Sequence, residues 1–158
     1  MKTKKMRYVW FLVILCIFCL TLFLARTRSK VEMRNRIYHQ WNEHFVVSKG
    51  KESYVRTTND SNQTVVLSEA QSYGMLITVA AAKKGQAQQA DFDRLYQYYL
   101  NHRLEGTQLM SWKQTIRNGK AKDEDHNATD GDLYIAYALL KAAQQLSLIH
   151  ISDGAREA

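Results

Sequence analysis

The sequence predicts an all-α fold preceded by one transmembrane helix. Three observations predict it. The 158-residue chain contains no proline, several segments place apolar residues at helical spacing, and no period-2 strand pair is visible. The length allows one soluble domain.

The transmembrane helix is expected at Tyr8 to Ala25, an uncharged 18-residue run rich in Leu, Ile, Val and Phe. At the rise of an α-helix such a run reaches about 27 Å, enough to cross a hydrocarbon core. Lys2, Lys4, Lys5 and Arg7 precede it and Arg26, Arg28 and Lys30 follow, with Tyr8 and Trp10 placed as interfacial aromatics. A cleaved signal peptide is the rival, but Leu22-Phe23-Leu24-Ala25-Arg26 lacks the alternating small residues of a cleavage site. Membrane attachment through residues 8–25 is therefore expected, with the soluble part outside the cell, or secreted if the segment is cleaved. The basic flanks are too even to fix the orientation. Cys16 and Cys19 both lie in this run, which excludes a disulfide framework or cysteine-based zinc site in the soluble part.

Charge points the same way. Residues 1–36 hold nine Lys/Arg and one acidic residue, a net +8, whereas residues 37–158 hold thirteen and fourteen, a net −1. The basic excess flanks the membrane run, so no nucleic-acid partner is expected.

Four helical segments follow. Lys30 to Phe45 spaces Ile37, Trp41, His44 and Phe45 along one face, and the polar stretch Ser48 to Gln63 reads as a loop. Val65-Val66-Leu67 leads into a helix opened by Ser68, with Gln71 three residues on forming an expected capping box. Its expected core stripe is Met75, Leu76, Val79 and Ala80. Lys83 and Lys84 suit its negative end, and Gly85 a C-terminal cap. Ala90 to Leu104 carries Phe92, Leu95, Tyr96, Tyr99 and Leu100. Asp130 to Gln145 carries Leu133, Ala136, Tyr137, Leu140 and Ala143 on its expected core side, with Thr129 and Asp132 expected to cap it. The connection 105–129, with Trp112, Asn118, Gly119, Asp123, Glu124, Asp125 and Asn127, reads as a polar loop expected to border the site.

Three patches carry candidate chemistry: Ser68-Glu69-Ala70-Gln71-Ser72-Tyr73-Gly74-Met75, Leu109 to Lys113 around Trp112, and Ala128-Thr129-Asp130-Gly131-Asp132. Taken singly, each has a structural reading. Glu69, Asp130 and Asp132 at helix starts are favoured by the helix dipole, and Trp112 and Tyr73 suit packing. Together and in this order they resemble glycoside hydrolase family 8. Ala128 to Leu140 approaches that family's A-T-D-G-D signature, and Ser68 to Met75 its S-E-x-Q-S-Y-G-M segment, with Ala70 where glycine is commoner. The resemblance covers about Val65 to Gln145.

The resemblance implies a partial (α/α)6 toroid and inverting hydrolysis of a β-glycan: a β-1,4-glucan, mixed-linkage glucan, chitosan or xylan. It implies Glu69 as general acid, Asp130 as the residue that positions and distorts the −1 sugar, and Trp112 as a stacking platform. Tyr73, Gln71 and Asp132 are further expected substrate contacts. It places the general base on an aspartate further along the family's chain. Inversion needs the acid and base on opposite faces, about 6.5–9.5 Å apart with a water between. An acid working near neutral pH needs its proton held, which a helix N-terminus opposes, so repulsion from a nearby Asp130 is the expected compensation.

No metal or cofactor is expected. Asp123, Asp125 and Asn127 begin like a calcium loop, but Ala128 replaces the required glycine and Tyr134 stands where the bidentate glutamate belongs. His39, His44, His102, His126 and His150 lack paired ligand spacing, and no phosphate-cradling glycine loop is present. The expected division is 1–29 tail and anchor, 30–146 the N-terminal part of a catalytic domain, and 147–158 an unrelated tail. A monomer is expected, and the chain by itself is expected to be inactive. The alternative is a membrane-tethered helical module that binds a glycan or partner without cleaving it.

Overall fold

The computed structural model describes residues 2–58 and 62–145; Asn59, Asp60, Ser61 and the expected tail after residue 146 lie outside them. The chain divides into two compact units, residues 1–40 and 41–158. One helix, α1 (Lys2–Phe45), forms the first and contributes its last turn to the second. It is long and apolar enough to cross a membrane, and the apolar window within it is wholly unburied. It runs through residue 30 without a break.

The second unit contains β1 (Val46–Lys49), β2 (Glu52–Val55), β3 (Thr64–Leu67), α2 (Ser68–Ala82), α3 (Gln89–Asn101), β4 (Lys113–Arg117), β5 (Lys120–Asp123) and α4 (Thr129–Gln145). The helices dominate, as expected, and enclose the core. The strands correct the expectation that no strands pair. β1 and β2 form an antiparallel hairpin that overlaps the expected loop 48–63, and β3, β4 and β5 form an antiparallel sheet. Strands of four or five residues are too short to display a period, and burial along β2 does not alternate, since Ser53, Tyr54 and Val55 are all buried. Asn118-Gly119 at the β4–β5 turn was the available signal: both residues adopt positive φ, 50° and 74°, the backbone that a tight two-residue hairpin requires.

α2 is the central helix, packed against both α3 and α4. Its buried face is Ser68, Gln71, Ser72, Met75, Thr78 and Val79, more polar than the expected stripe; Ala80 is exposed. The expected capping box is absent. The Gln71 side chain instead turns inward: its Nε2 donates to Ser53 O at 3.1 Å and Leu95 O at 2.9 Å, and its Oε1 accepts from Val55 N at 3.0 Å. One amide thus ties α2 to β2 and α3. Gly85 does take a positive φ, 70°, after the helix ends. α3 is capped reciprocally by Gln88 and Asp91.

The face of α4 is reversed from expectation. Gly131, Ile135, Ala138 and Ala142 are buried, whereas Leu133, Tyr137 and Leu140 are exposed. Small residues on the inward side let α4 approach α2 closely, and bulk alone misidentified the core stripe. The core gathers Val66, Met75, Val79, Phe92, Leu95, Tyr98, Tyr99, Met110 and Ile135.

Candidate active site

Two glycines set the approach of the elements. A Cβ on Gly74 would collide with Val55 Cγ2, and one on Gly131 would overlap Ser68 Oγ and lie 3.1 Å from Glu69 N. Both lie in the motifs singled out above. Gly131 brings the first turn of α4 against the first turn of α2, and so carries the Asp130 segment to the Glu69 segment.

The Trp112 segment is tied to the same place. Ser68 N–H donates to Trp112 O at 2.9 Å, Trp112 N–H donates to His126 O at 2.9 Å, and Ser111 bridges Asn127. Met110 N–H donates to Asp132 Oδ1 at 2.9 Å, and Asn127 Nδ2 to Asp132 Oδ2 at 2.7 Å. The three patches, far apart in sequence, therefore meet at the paired N-termini of α2 and α4.

Glu69 is half-buried and Asp130 exposed. Asp130 Oδ1 accepts from Gly131 N–H at 2.8 Å, which leaves Oδ2 outside that contact. One turn on, Tyr73 and Tyr134 place their rings 5.1 Å apart at 47°. The Tyr73 hydroxyl is held above its usual range, chiefly by loss of water around it, then by Tyr134 and by the Glu69 carboxylate. Glu69 and Tyr73 on α2, and Asp130 and Tyr134 on α4, are each one turn apart on their helices. Tyr134 is the residue that sequence reasoning missed, having weighed it only as a misplaced calcium ligand. Its spacing four residues after Asp130 was the signal.

Trp112 is half-buried. His126 stacks on its ring at 5.5 Å and 29°, and Lys113 Nζ stands 5.5 Å from the ring centre. The indole is thus a partly occupied platform. Its buried Nε1 has no hydrogen-bond partner among the described residues. His126 Nδ1 also contacts Asp125 Oδ1 at 3.0 Å, and that contact lowers the Asp125 carboxyl.

Two expected substrate contacts have partners within the fold. Gln71 is fully buried and its amide is engaged by β2 and α3; it has nothing left for a substrate. Asp132 has both oxygens engaged, by Met110 and Asn127. Half-buried, it pins the Trp112 and His126 segments to α4.

The second unit thus carries two carboxylates at adjoining helix tips, Glu69 and Asp130, with the Tyr73 and Tyr134 rings one turn on. The sequence pattern of "Glycosyl hydrolases family 8" matches residues 12–147. The chain is 38% identical over 109 residues to a beta-glucanase of Niallia circulans, covering 68% of this chain and 26% of that protein. It is 39% identical over 79 residues to an endoglucanase of Bacillus sp. (strain KSM-330), covering 49% of this chain and 17% of that one. Among solved structures, a beta-1,3-1,4-glucanase from Paenibacillus sp. X4 superposes with a TM-score of 0.56 at 32% identity, over 74% of this chain and 31% of that one. The chain belongs to glycosyl hydrolases family 8. It spans 26% and 17% of the length of the two curated relatives.

Proposed function

We propose that this chain is the acid-bearing part of a membrane-anchored, inverting β-glycan hydrolase acting on a β-1,4-linked or mixed-linkage glucan. The observation that carries the reading is the contact of Gly131 with Ser68, which sets the Asp130 and Glu69 segments side by side. The beta-glucanase and endoglucanase names of its relatives support the substrate class.

In this reading Glu69 protonates the departing glycosidic oxygen, Asp130 binds the −1 sugar, and Trp112 stacks on a ring of the substrate. Tyr73 and Tyr134 flank Glu69 and border the sugar. The base is an aspartate contributed from elsewhere in the full-length enzyme. Residues 8–25 hold the enzyme to the membrane with the second unit outside the cell, as a monomer.

The test uses the full-length enzyme that carries this segment, assayed on barley β-glucan and carboxymethylcellulose. Glu69→Gln is expected to lower kcat by about 10²–10⁴-fold. Trp112→Ala is expected to act mainly on KM, and the first product is expected as the inverted anomer by NMR. A Glu69→Gln enzyme retaining most of its kcat sinks the assignment. An enzyme that binds glucan yet never cleaves it supports a binding module instead.

A further inference from the structure

We propose that the outward face of the β3–β4–β5 sheet binds the acidic groups of an anionic β-glycan and leads that polymer to the Glu69 site. That the polymer is a glycan rests on the hydrolase reading; that it is anionic does not.

The sheet sorts its side chains onto two faces, because successive residues of a strand point to opposite sides. Val66 and Gln114, directly opposite one another, are fully buried and turn inward. Lys113, Thr115 and Arg117 therefore turn outward. The register of β5 adds Lys122 opposite Thr115, and Lys120 opposite Arg117, to the same face. Arg117, Lys120 and Lys122 are exposed and Lys113 is half-buried. Residues 113–122 thus hold four cations and no acid. They do so within a part of the chain, residues 37–158, where fourteen acidic residues outnumber thirteen Lys/Arg, so the patch is local and not a consequence of a basic domain.

The face keeps its charge. Among the described residues Arg117, Lys120 and Lys122 form no ion pair. Arg117 Nε and Nη2 donate to Gln63 Oε1 at 3.2 and 2.8 Å, which holds the guanidinium without cancelling it. The neighbouring acids are directed elsewhere. Asp123 lies on the other face and meets His102 Nδ1 at 2.8 Å, and Asp125 meets His126 Nδ1 at 3.0 Å. Glu124 N–H donates to Lys113 O at 3.0 Å, which sets Glu124 beside Lys113 and away from the hairpin tip. Arg117 and Lys120 oppose each other directly, and like charges in that position, with Cβ atoms about 5 Å apart, weaken a sheet. An anion bound across them turns that repulsion into attraction.

The spacing calls for repeated anions. Cations on one face recur about every 7 Å along a strand, on an open sheet with no enclosing walls. That layout matches carboxylates recurring along a polymer better than a single small anion. The face also runs into the proposed site. Leu67, which directly precedes the helix that carries Glu69, lies opposite Lys113, and Lys113 Nζ stands 5.5 Å from the centre of the Trp112 ring. A polymer that reaches both the cations and Trp112 is a glycan bearing acidic groups. A bilayer on this face would compete with substrate for Lys113 and Trp112.

The full-length enzyme that carries this segment, made cleavage-deficient by Glu69→Gln, is titrated with carboxymethylcellulose and with hydroxyethylcellulose. These polymers share a backbone and differ in charge. At about 20 mM salt the acidic polymer is expected to bind about five- to tenfold more tightly, and at about 0.5 M salt the two are expected to bind alike. Lys120→Gln/Lys122→Gln, which leaves the Arg117–Gln63 bonds in place, is expected to remove most of the preference and to leave the affinity for hydroxyethylcellulose unchanged. Arg117→Gln is the second variant. Equal affinity for the two polymers, no binding of carboxymethylcellulose, or an undiminished preference in both variants overturns the proposal and leaves the hydrolase reading standing. A preference present in phosphatidylcholine nanodiscs and lost in phosphatidylglycerol nanodiscs assigns the face to lipid headgroups and overturns it as well. A preference that depends on Lys120 and Lys122, in an enzyme whose Glu69 form cleaves no glucan, upholds the surface and overturns the hydrolase reading.

Discussion

Gly131 packs on Ser68 so closely that a Cβ at residue 131 would overlap the Ser68 Oγ and lie 2.7 Å from the Ser68 Cβ. This contact joins the first turns of α2 and α4, and every proposed role at the site depends on it.

Gly131→Ala is therefore expected to destabilise the second unit by about 1–3 kcal/mol, as overpacking does. Helix propensity alone predicts the opposite sign, a gain of about 1 kcal/mol, so urea unfolding decides between them. Ser68→Ala removes the overlapping oxygen but leaves the Cβ, so the double variant should recover only part of the loss. A Gly131→Ala chain at least as stable as the parent would show that the two helix tips tolerate separation.

Gln71 is expected to behave as a core residue. Gln71→Ala removes the partner of Val55 N, Ser53 O and Leu95 O and should cost about 2–5 kcal/mol in unfolding free energy. A loss within about 0.5 kcal/mol would be that of a surface residue and would restore the reading of Gln71 as a substrate contact.

Asp132→Ala should free the Met110 amide and the Asn127 side chain together. About 1–3 kcal/mol is the cost of leaving a buried donor unpaired. Hydrogen exchange should accelerate at Met110, and Asp132→Asn, which keeps an acceptor, should restore much of the protection. Unchanged exchange at Met110 in Asp132→Ala would remove the pinning role.

Alkaline pH should weaken the fold. Burial raises the Tyr98 phenol far above the tyrosine range, and Asp123, Glu52 and Tyr54 add to it; Tyr54, Tyr96 and Tyr99 shift the same way, chiefly through burial. A folded-state value above the unfolded one means that stability is intact below about pH 10 and lost as the pH climbs beyond it. Above that point Tyr98→Phe should reduce the loss by up to about 1.4 kcal/mol per pH unit. Unfolding measured between pH 9 and 11.5 checks this, and an identical slope in the variant contradicts it.

The apolar run at Tyr8 to Ala25, the helices around Met75, Leu95 and Ile135, and the Glu69 and Asp130 motifs were legible in the sequence, because helical periodicity and local residue order are properties of contiguous chain. The strands were not, because four or five residues are too short to display a period, and the inward turn of Gln71 and the hold of Asp132 on Met110 were not, because they depend on partners 16 to 24 residues away. The face of α4 was misread for the same reason. A helix carries two candidate stripes, and only the closeness of α2 decides that Gly131, Ile135, Ala138 and Ala142 go inward while Leu133 and Tyr137 stay out. The sequence determined the order of the motifs that carry the proposed site residues. Tertiary packing decided which of them are engaged in holding the fold and which, like Glu69 and Asp130, are carried to adjoining helix tips.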